Sequence, residues 1–255
     1  MVQKNSLAFR PVVLIGGATA TGKSALALDI AKKFNGEIIS ADSMQIYKGF
    51  DIGTAKITES EMKNVPHHLI SFHDGKSYYS VGQFKEDAEK AIENILSRGK
   101  LPIVVGGTGL YLNSILFNYQ FGGKGEVKKG KNKFNFLPFV VEKPRAELYE
   151  QINKRVDGMI ELGLIDEIKR LLNEGYDFDS IPFRAIGYKE FKGFFDQNET
   201  LQNCVDLLKK NSRNYAKRQI TWFRQWNDIA IRINSDETEK AVKLIEDFLK
   251  NGKQN

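Results

Sequence analysis

Cysteine is almost missing from this 255-residue chain. A lone thiol, Cys204, excludes an internal disulfide and any zinc site built from several cysteines, and it fits a reducing cytoplasm. No partner motif surrounds it, so it reads as a structural thiol rather than a nucleophile. A run of about eighteen apolar residues is also absent, so no membrane-crossing helix is expected. Residues 1–9 lack the long apolar stretch of a secretory signal. Histidine is scarce as well. His67 and His68 beside Pro66, with His73 close by, have no carboxylate or cysteine at ligand spacing and read as structural.

What the chain does have is positive charge, +6 in total with an isoelectric point near 9.1. Such a balance suits a polyanionic partner, although solvated lysine faces produce it too. The excess gathers in two places, 122–133 and 209–224. The first has no apolar period and reads as a flexible basic connector.

Short apolar runs at 12–15, 37–40 and 101–105 predict strands, and helical spacing predicts helices at 24–34, 81–97 and 110–117. Such alternation argues for a parallel sheet covered by helices on both faces. Beyond the connector a strand at 134–141 is expected, then helices at 144–160 and 164–173, with Pro144 in the first turn. A loop at 181–188, a long helix at 205–226, a short strand at 229–233 and a terminal amphipathic helix at 237–251 follow. In a parallel sheet, ligands bind beyond the carboxyl ends of the strands. Three strand-end segments should therefore converge.

The first is Gly17-Ala18-Thr19-Ala20-Thr21-Gly22-Lys23-Ser24, a phosphate-loop pattern set between an expected strand and helix. Its backbone N–H groups, the helix N-terminus and Lys23 make a diphosphate or triphosphate cradle, and the Ser24 hydroxyl is placed to ligate Mg²⁺. The second is Ala41-Asp42-Ser43. A carboxylate here has several open roles: orienting a metal, binding a hydroxyl, accepting a proton, or capping a helix. The third, Gly106-Gly107-Thr108-Gly109, ends its strand without the Asp that a phosphoryl-transferring enzyme of this fold uses for its metal. Thr108 suits close approach to a ligand and also suits an N-cap. On the long helix, Lys209, Arg213 and Lys217 recur with Lys210 and Arg218 alongside, interleaved with Tyr215, Trp222, Phe223 and Trp226. Charges for phosphates and rings for bases fit single-stranded nucleic acid. A solvated helix with its rings in the core fits as well.

These blocks in this order resemble the tRNA dimethylallyltransferase family. The resemblance is carried by the phosphate loop, Ser40-Ala41-Asp42-Ser43-Met44-Gln45-Ile46-Tyr47-Lys48-Gly49, Asp51-Ile52-Gly53-Thr54-Ala55-Lys56 and Val65-Pro66-His67-His68-Leu69. Val105-Gly106-Gly107-Thr108-Gly109-Leu110-Tyr111, Arg184-Ala185-Ile186-Gly187-Tyr188-Lys189-Glu190 and Ala216-Lys217-Arg218-Gln219-Ile220-Thr221-Trp222-Phe223-Arg224 complete it. It implies a P-loop NTPase-like α/β fold with a helical C-terminal part. It also implies transfer of a dimethylallyl group from its diphosphate to N6 of the adenosine beside the anticodon. On this resemblance Lys23, Ser24 through Mg²⁺, and Arg155 grip the diphosphate, Asp42 is the general base, and Thr108 positions the amine or the diphosphate. The tRNA-contacting parts it implies are Asp42, Ser43, Met44, Gln45, Thr108, Arg184, Ala185, Ile186, Gly187, Tyr188, Lys189, Lys217, Arg218, Trp222 and Arg224. The expected partners are a tRNA anticodon stem-loop and dimethylallyl diphosphate, in a cytoplasmic monomer with no membrane contact.

The division expected is a P-loop core at 1–121, the connector at 122–133, and the rest of the core with an RNA-contacting helical part at 134–255. Typical members carry a helical insertion where the connector stands, and it helps grip the stem-loop. That departure keeps two alternatives in view, an isopentenyltransferase for free adenine nucleotide and an RNA-binding relative without catalysis. The retained basic helix speaks against the first, and intact Lys23, Asp42, Thr108 and Arg155 against the second. A small-molecule kinase is disfavoured by the Gly-Gly-Thr strand end.

Overall fold

The computed structural model describes residues 9–122 and 125–252. Residues 1–8 of the stretch read for a secretory signal, and Gly123 and Lys124 of the expected connector, therefore lie outside the described residues. Among those described, six parallel strands form one sheet in the order β3-β2-β4-β1-β7-β8. They are β1 (Pro11–Gly17), β2 (Glu37–Ser40), β3 (His67–His68), β4 (Pro102–Val105), β7 (Asn135–Glu142) and β8 (Ile231–Asn234). A separate antiparallel pair joins β5 (Tyr119–Phe121) to β6 (Val127–Lys129).

Central β1 is buried on both faces, which is why it reads as an unbroken apolar run rather than an alternating one. Val12 and Leu14 face one core layer, and Val13 and Ile15 face the other; all four have no exposed surface. The second layer is covered by α1 (Lys23–Lys33) and α9 (Thr238–Gly252). The first layer lies under α3 (Val81–Ser97), α4 (Gly109–Leu116), α5 (Arg145–Glu161), α6 (Leu164–Asn173) and α8 (Leu201–Phe223). Two four-residue helices, α2 (Glu59–Met62) and α7 (Lys192–Phe195), decorate the loops. No described helix is long and apolar enough to cross a membrane.

Helix α3 starts where the sequence places it because Ser80 and Gln83 form a reciprocal capping box, each side chain bonding the other's backbone N–H. The expected helix at 144–160 starts one residue later. Pro144, with ψ of 138°, is its N-cap rather than part of its first turn. The loop at 181–188 contains a turn of 3₁₀ helix, Pro182–Arg184. The connector reading of 122–133 needs correction, because Val127–Lys129 pairs with Tyr119–Phe121 as a hairpin. Its base is closed by Gly130 N–H donating to the Asn118 carbonyl at 3.0 Å and by the Asn118 amide donating to the Lys131 carbonyl at 2.6 Å.

The histidines are structural. His68 bonds Glu37 at 2.8 Å, and this buried carboxylate also holds Arg98 at 2.5 and 2.7 Å and Lys100 at 2.8 Å. Those bonds, Arg98 foremost, hold the Glu37 carboxyl well below the usual range.

Candidate active site

The sheet order makes β1 the point where the chain switches direction, with β4 and β2 on one side and β7 and β8 on the other. The phosphate loop leaves β1 at that point. Gly17 takes φ +143°, with the Val141 carbonyl only 2.5 Å from where a Cβ would stand, so no larger residue fits. Within the loop the Ala18 carbonyl accepts the Thr21 hydroxyl at 2.8 Å and the Lys23 ammonium at 2.6 Å. Lys23 is thus folded back over its own loop and buried. Burial, and secondarily the nearby Arg155 charge, lowers its pKa to about 7. Arg155 reaches across from α5 and donates to the Thr19 hydroxyl at 2.9 Å. The two expected diphosphate cations therefore meet on one loop, with exposed Ser24 in the first turn of α1.

Asp42 and Thr108 come off the next two strands. The Thr108 N–H donates to the Ala41 carbonyl at 3.2 Å, while its hydroxyl accepts the Ser43 N–H at 2.9 Å and bonds the Ser43 hydroxyl at 3.2 Å. Thr108 stands at the N-cap position of α4, yet its side chain makes no cap bond. It ties the two strand ends together instead. One Asp42 oxygen accepts the Met44 N–H at 2.9 Å, closing a turn rather than capping a helix. Its negative charge reaches Lys23 and Arg155, raising the pKa of each against the effect of burial.

Helix α8 crosses over these strand ends. Phe223 lies against Gly16, Trp222 against Gly109, and Gln219 bonds both the phosphate loop and the Gly107 turn. Tyr215 is pushed up to about 12, chiefly by burial and then by the Asp42 charge, and its hydroxyl reaches Gln219 and Thr108. The sequence marks Tyr215 only as one ring of the basic helix and gives Gln219 no role of its own. Their position inside a basic, aromatic motif signals a helix face, not a partner 112 or 200 residues away.

The basic stripe divides in two. Lys209 pairs with Asp157 at 2.5 Å and Arg213 with Asn153 at 2.6 Å, fastening α8 to α5. Lys217, Arg218, Trp222 and Arg224 are exposed, whereas Phe223 and Trp226 are core residues. The core reading of the helix holds for Phe223 and Trp226, while the other four side chains are left on its open face.

The remaining motif blocks brace one another. Glu167 accepts the N–H groups of Asp51, Ile52 and Gly53 at 3.1, 2.8 and 3.0 Å and the Tyr188 hydroxyl at 2.8 Å. Tyr188 has no exposed surface, so it supports the 51–56 loop rather than presenting its ring to RNA. Gly187, at φ +113°, lets the backbone pass beside Gly53. Arg184 and Lys189 are exposed, while Ala185, Ile186, Ser43, Met44 and Gln45 are half-buried. The Gln45 amide donates to the Thr54 and Ala55 carbonyls, both at 3.3 Å.

On the β7–β8 side of the loop a cavity of about 370 Å³ opens, walled by Val140, Pro144, Leu148, Ile220 and Phe223 and reaching Gly17, Ala18 and Thr21. Arg232, ion-paired to Glu142, stands at its polar edge.

The IPP transferase family model matches residues 45–130 and 120–226, and the isopentenyl transferase model matches 10–75. A tRNA dimethylallyltransferase of Acetivibrio thermocellus is 38% identical over 300 residues, covering 93% of this chain and 96% of the relative. One from Exiguobacterium is 36% identical over 296 residues, covering 93% and 95%. The crystal structure of the tRNA isopentenylpyrophosphate transferase of Bacillus halodurans superposes with a TM-score of 0.85 at 34% identity, covering 96% of this chain and 98% of that one. A eukaryotic dimethylallyltransferase acting on tRNA gives a TM-score of 0.85 at 26% identity, covering 95% and 80%. The alignment of 300 residues is longer than this chain, so the relative carries residues with no counterpart here. The family model matches as two segments that overlap at 120–130, the stretch that holds β6 and its turn.

Proposed function

The chain belongs to the tRNA dimethylallyltransferase family, and we propose on that footing that it moves a dimethylallyl group from dimethylallyl diphosphate to N6 of the adenosine 3′-adjacent to the tRNA anticodon. The observation that carries this reading is the convergence at the strand ends. Two basic side chains, Lys23 of the phosphate loop and Arg155 bonded to that loop from α5, lie within the field of a carboxylate, Asp42, at the strand end beyond β4. A leaving anion and an amine that must lose a proton need those groups side by side.

As the allylic C–O bond breaks, its electron pair stays on the diphosphate oxygen, where Lys23, Arg155 and the loop N–H groups stabilise it. The N6 lone pair forms the C–N bond to the allylic carbon. The nitrogen then carries positive charge, and its proton passes to Asp42. Thr108, fixed by Ser43, positions the amine. The target base leaves its stack to reach the strand ends, and the exposed Lys217, Arg218, Trp222 and Arg224 face the surrounding RNA. The cavity meets the loop from the β7–β8 side, so the donor has an approach separate from that of the acceptor.

Among the described residues no group of three or more His, Cys, Asp or Glu is arranged to cage a metal. The donor set fits an ion shared with a diphosphate: Ser24 would hold Mg²⁺ together with diphosphate oxygens and water. When bound, the ion adds positive charge against the departing diphosphate. Every group named comes from one chain, so a monomer suffices. A tRNA substrate and a lone free thiol support a cytoplasmic setting for the reaction.

The test supplies labelled dimethylallyl diphosphate and Mg²⁺ with bulk tRNA, an anticodon stem-loop, or AMP. Label in the first two is expected; label only in AMP, or in no acceptor, overturns the reading. Asp42→Asn should lower turnover by about 10²-fold or more, and unchanged turnover removes Asp42 as the base.

A further inference from the structure

Gln219 lies on the inner side of α8, 5% exposed, while Lys217, Arg218 and Trp222 of the same turns face outward. Both ends of its carboxamide are used. The Oε1 atom accepts the Thr19 N–H at 2.8 Å, and Nε2 donates to the Gly107 carbonyl at 3.0 Å. Neither bond belongs to the sheet or to a helix. Thr19 is the residue whose hydroxyl receives Arg155, and Gly107 directly precedes Thr108. The close approach requires glycine at 107, since a Cβ there would stand 2.3 Å from Nε2. One buried amide therefore spans the loop assigned to the donor's diphosphate and the turn assigned to the acceptor's amine.

We propose that Gln219 is a positioning residue that sets the spacing between the phosphate loop and the Gly107–Thr108 turn, and so aligns the donor's allylic carbon with the acceptor's amine. This rests on the prenyl-transfer reading of the site. Its chemical consequence is specific. Once the C–O bond stretches, the allylic carbon reacts with whichever nucleophile is aligned. If the amine is displaced, water attacks instead. A new C–O bond forms to the water oxygen, one proton goes to solvent, and the products are dimethylallyl alcohol and diphosphate. Gln219 touches neither substrate in this scheme, so its loss misdirects the reaction rather than weakening tRNA binding.

The experiment measures prenylated tRNA and dimethylallyl alcohol from the same labelled donor, in wild type, Gln219→Glu and Gln219→Met. Glutamate keeps the acceptor for Thr19 but cannot donate to Gly107 as a carboxylate, and methionine keeps the length with neither bond. Folded fraction is set by near-ultraviolet circular dichroism, so a variant that unfolds is recognised and the milder glutamate variant decides. The expected result is a share of donor lost to alcohol at least about fivefold above wild type in both variants, with KM for tRNA within about twofold. Alcohol and prenylated tRNA falling in the same proportion, or an unchanged share, overturns the proposal. Wild-type enzyme that prenylates no tRNA overturns the earlier reading instead, and the two failures are distinct.

Discussion

Raising the pH should weaken diphosphate binding through Lys23. In the free protein its ammonium is buried against the Ala18 carbonyl, with a pKa lowered from 10.5 to about 7 by burial and by Arg155. At pH 8 roughly nine-tenths of the side chain is then neutral, and at pH 6 roughly one-tenth. A bound diphosphate places several negative charges on the loop and favours the charged form. Binding must therefore take up about 0.9 proton at pH 8 and about 0.1 at pH 6, and the dissociation constant should rise about tenfold per pH unit above the pKa. The assay is calorimetric titration with inorganic pyrophosphate in two buffers of different ionisation enthalpy. Lys23→Arg serves as the reference, because a guanidinium stays charged and the ligand's own titration cancels in the difference. A wild-type-minus-variant uptake below about 0.2 proton at pH 8, or one that does not shrink towards pH 6, refutes the reasoning. The same shift has a stability counterpart of fixed sign. The unfolded chain binds the proton more tightly, so the penalty of burying Lys23 is present in full below the native value and is relieved between pH 7 and 10.5.

Two further outcomes are expected. Glu37→Gln removes the carboxylate shared by Arg98, Lys100 and His68 and should cost about 2–3 kcal/mol, the partly exposed partners moderating a larger buried-pair penalty. Because the native carboxyl titrates below 4.5, that contribution is present above this pH and lost in acid. The gap in urea midpoints should accordingly close as pH falls, and a gap independent of pH would contradict it. Reversing charge with Lys217→Glu and Arg218→Glu together should raise KM for tRNA at least about tenfold and reduce the salt dependence of binding by about one to two logarithmic slope units. A shift in donor KM with tRNA KM unmoved would show that this face does not meet RNA.

Legibility in the sequence followed the range of the forces involved. Periodicity and short-range caps placed β1, β2 and α3, because the patterns that bury them are local. The same locality fails at β3, two residues held at a sheet edge by pairing of His67 with Ile38 and His68 with Ile39. It fails again at the hairpin, whose partners sit across a glycine- and lysine-rich turn with no apolar period. Helix α8 begins at Leu201, capped by Thr200 on Asn203, ahead of the expected start. At the site, the phosphate loop, Asp42, Thr108 and Arg155 carry recognisable chemistry in their own motifs. Gln219 and Glu167 do not, since each acts on backbone atoms of a segment more than one hundred residues away. Tyr188 shows the opposite case: the resemblance implied an RNA contact, and the fold buries the ring beneath the loop it supports.

The closed base of the β5–β6 hairpin makes this part of the molecule a socket. Asn118 fastens both sides of the gap through the Gly130 N–H and the Lys131 carbonyl, so the chain leaves α4 and returns to β7 through a fixed doorway. The bonds described for Lys23, Asp42 and Thr108 run to Ala18, Met44, Ser43 and Ala41, all of them outside the hairpin. The length of chain carried there can therefore be changed by grafting or trimming while the chemistry beneath stays in register. Chain length at this doorway and geometry at the strand ends become separable parts of one molecule.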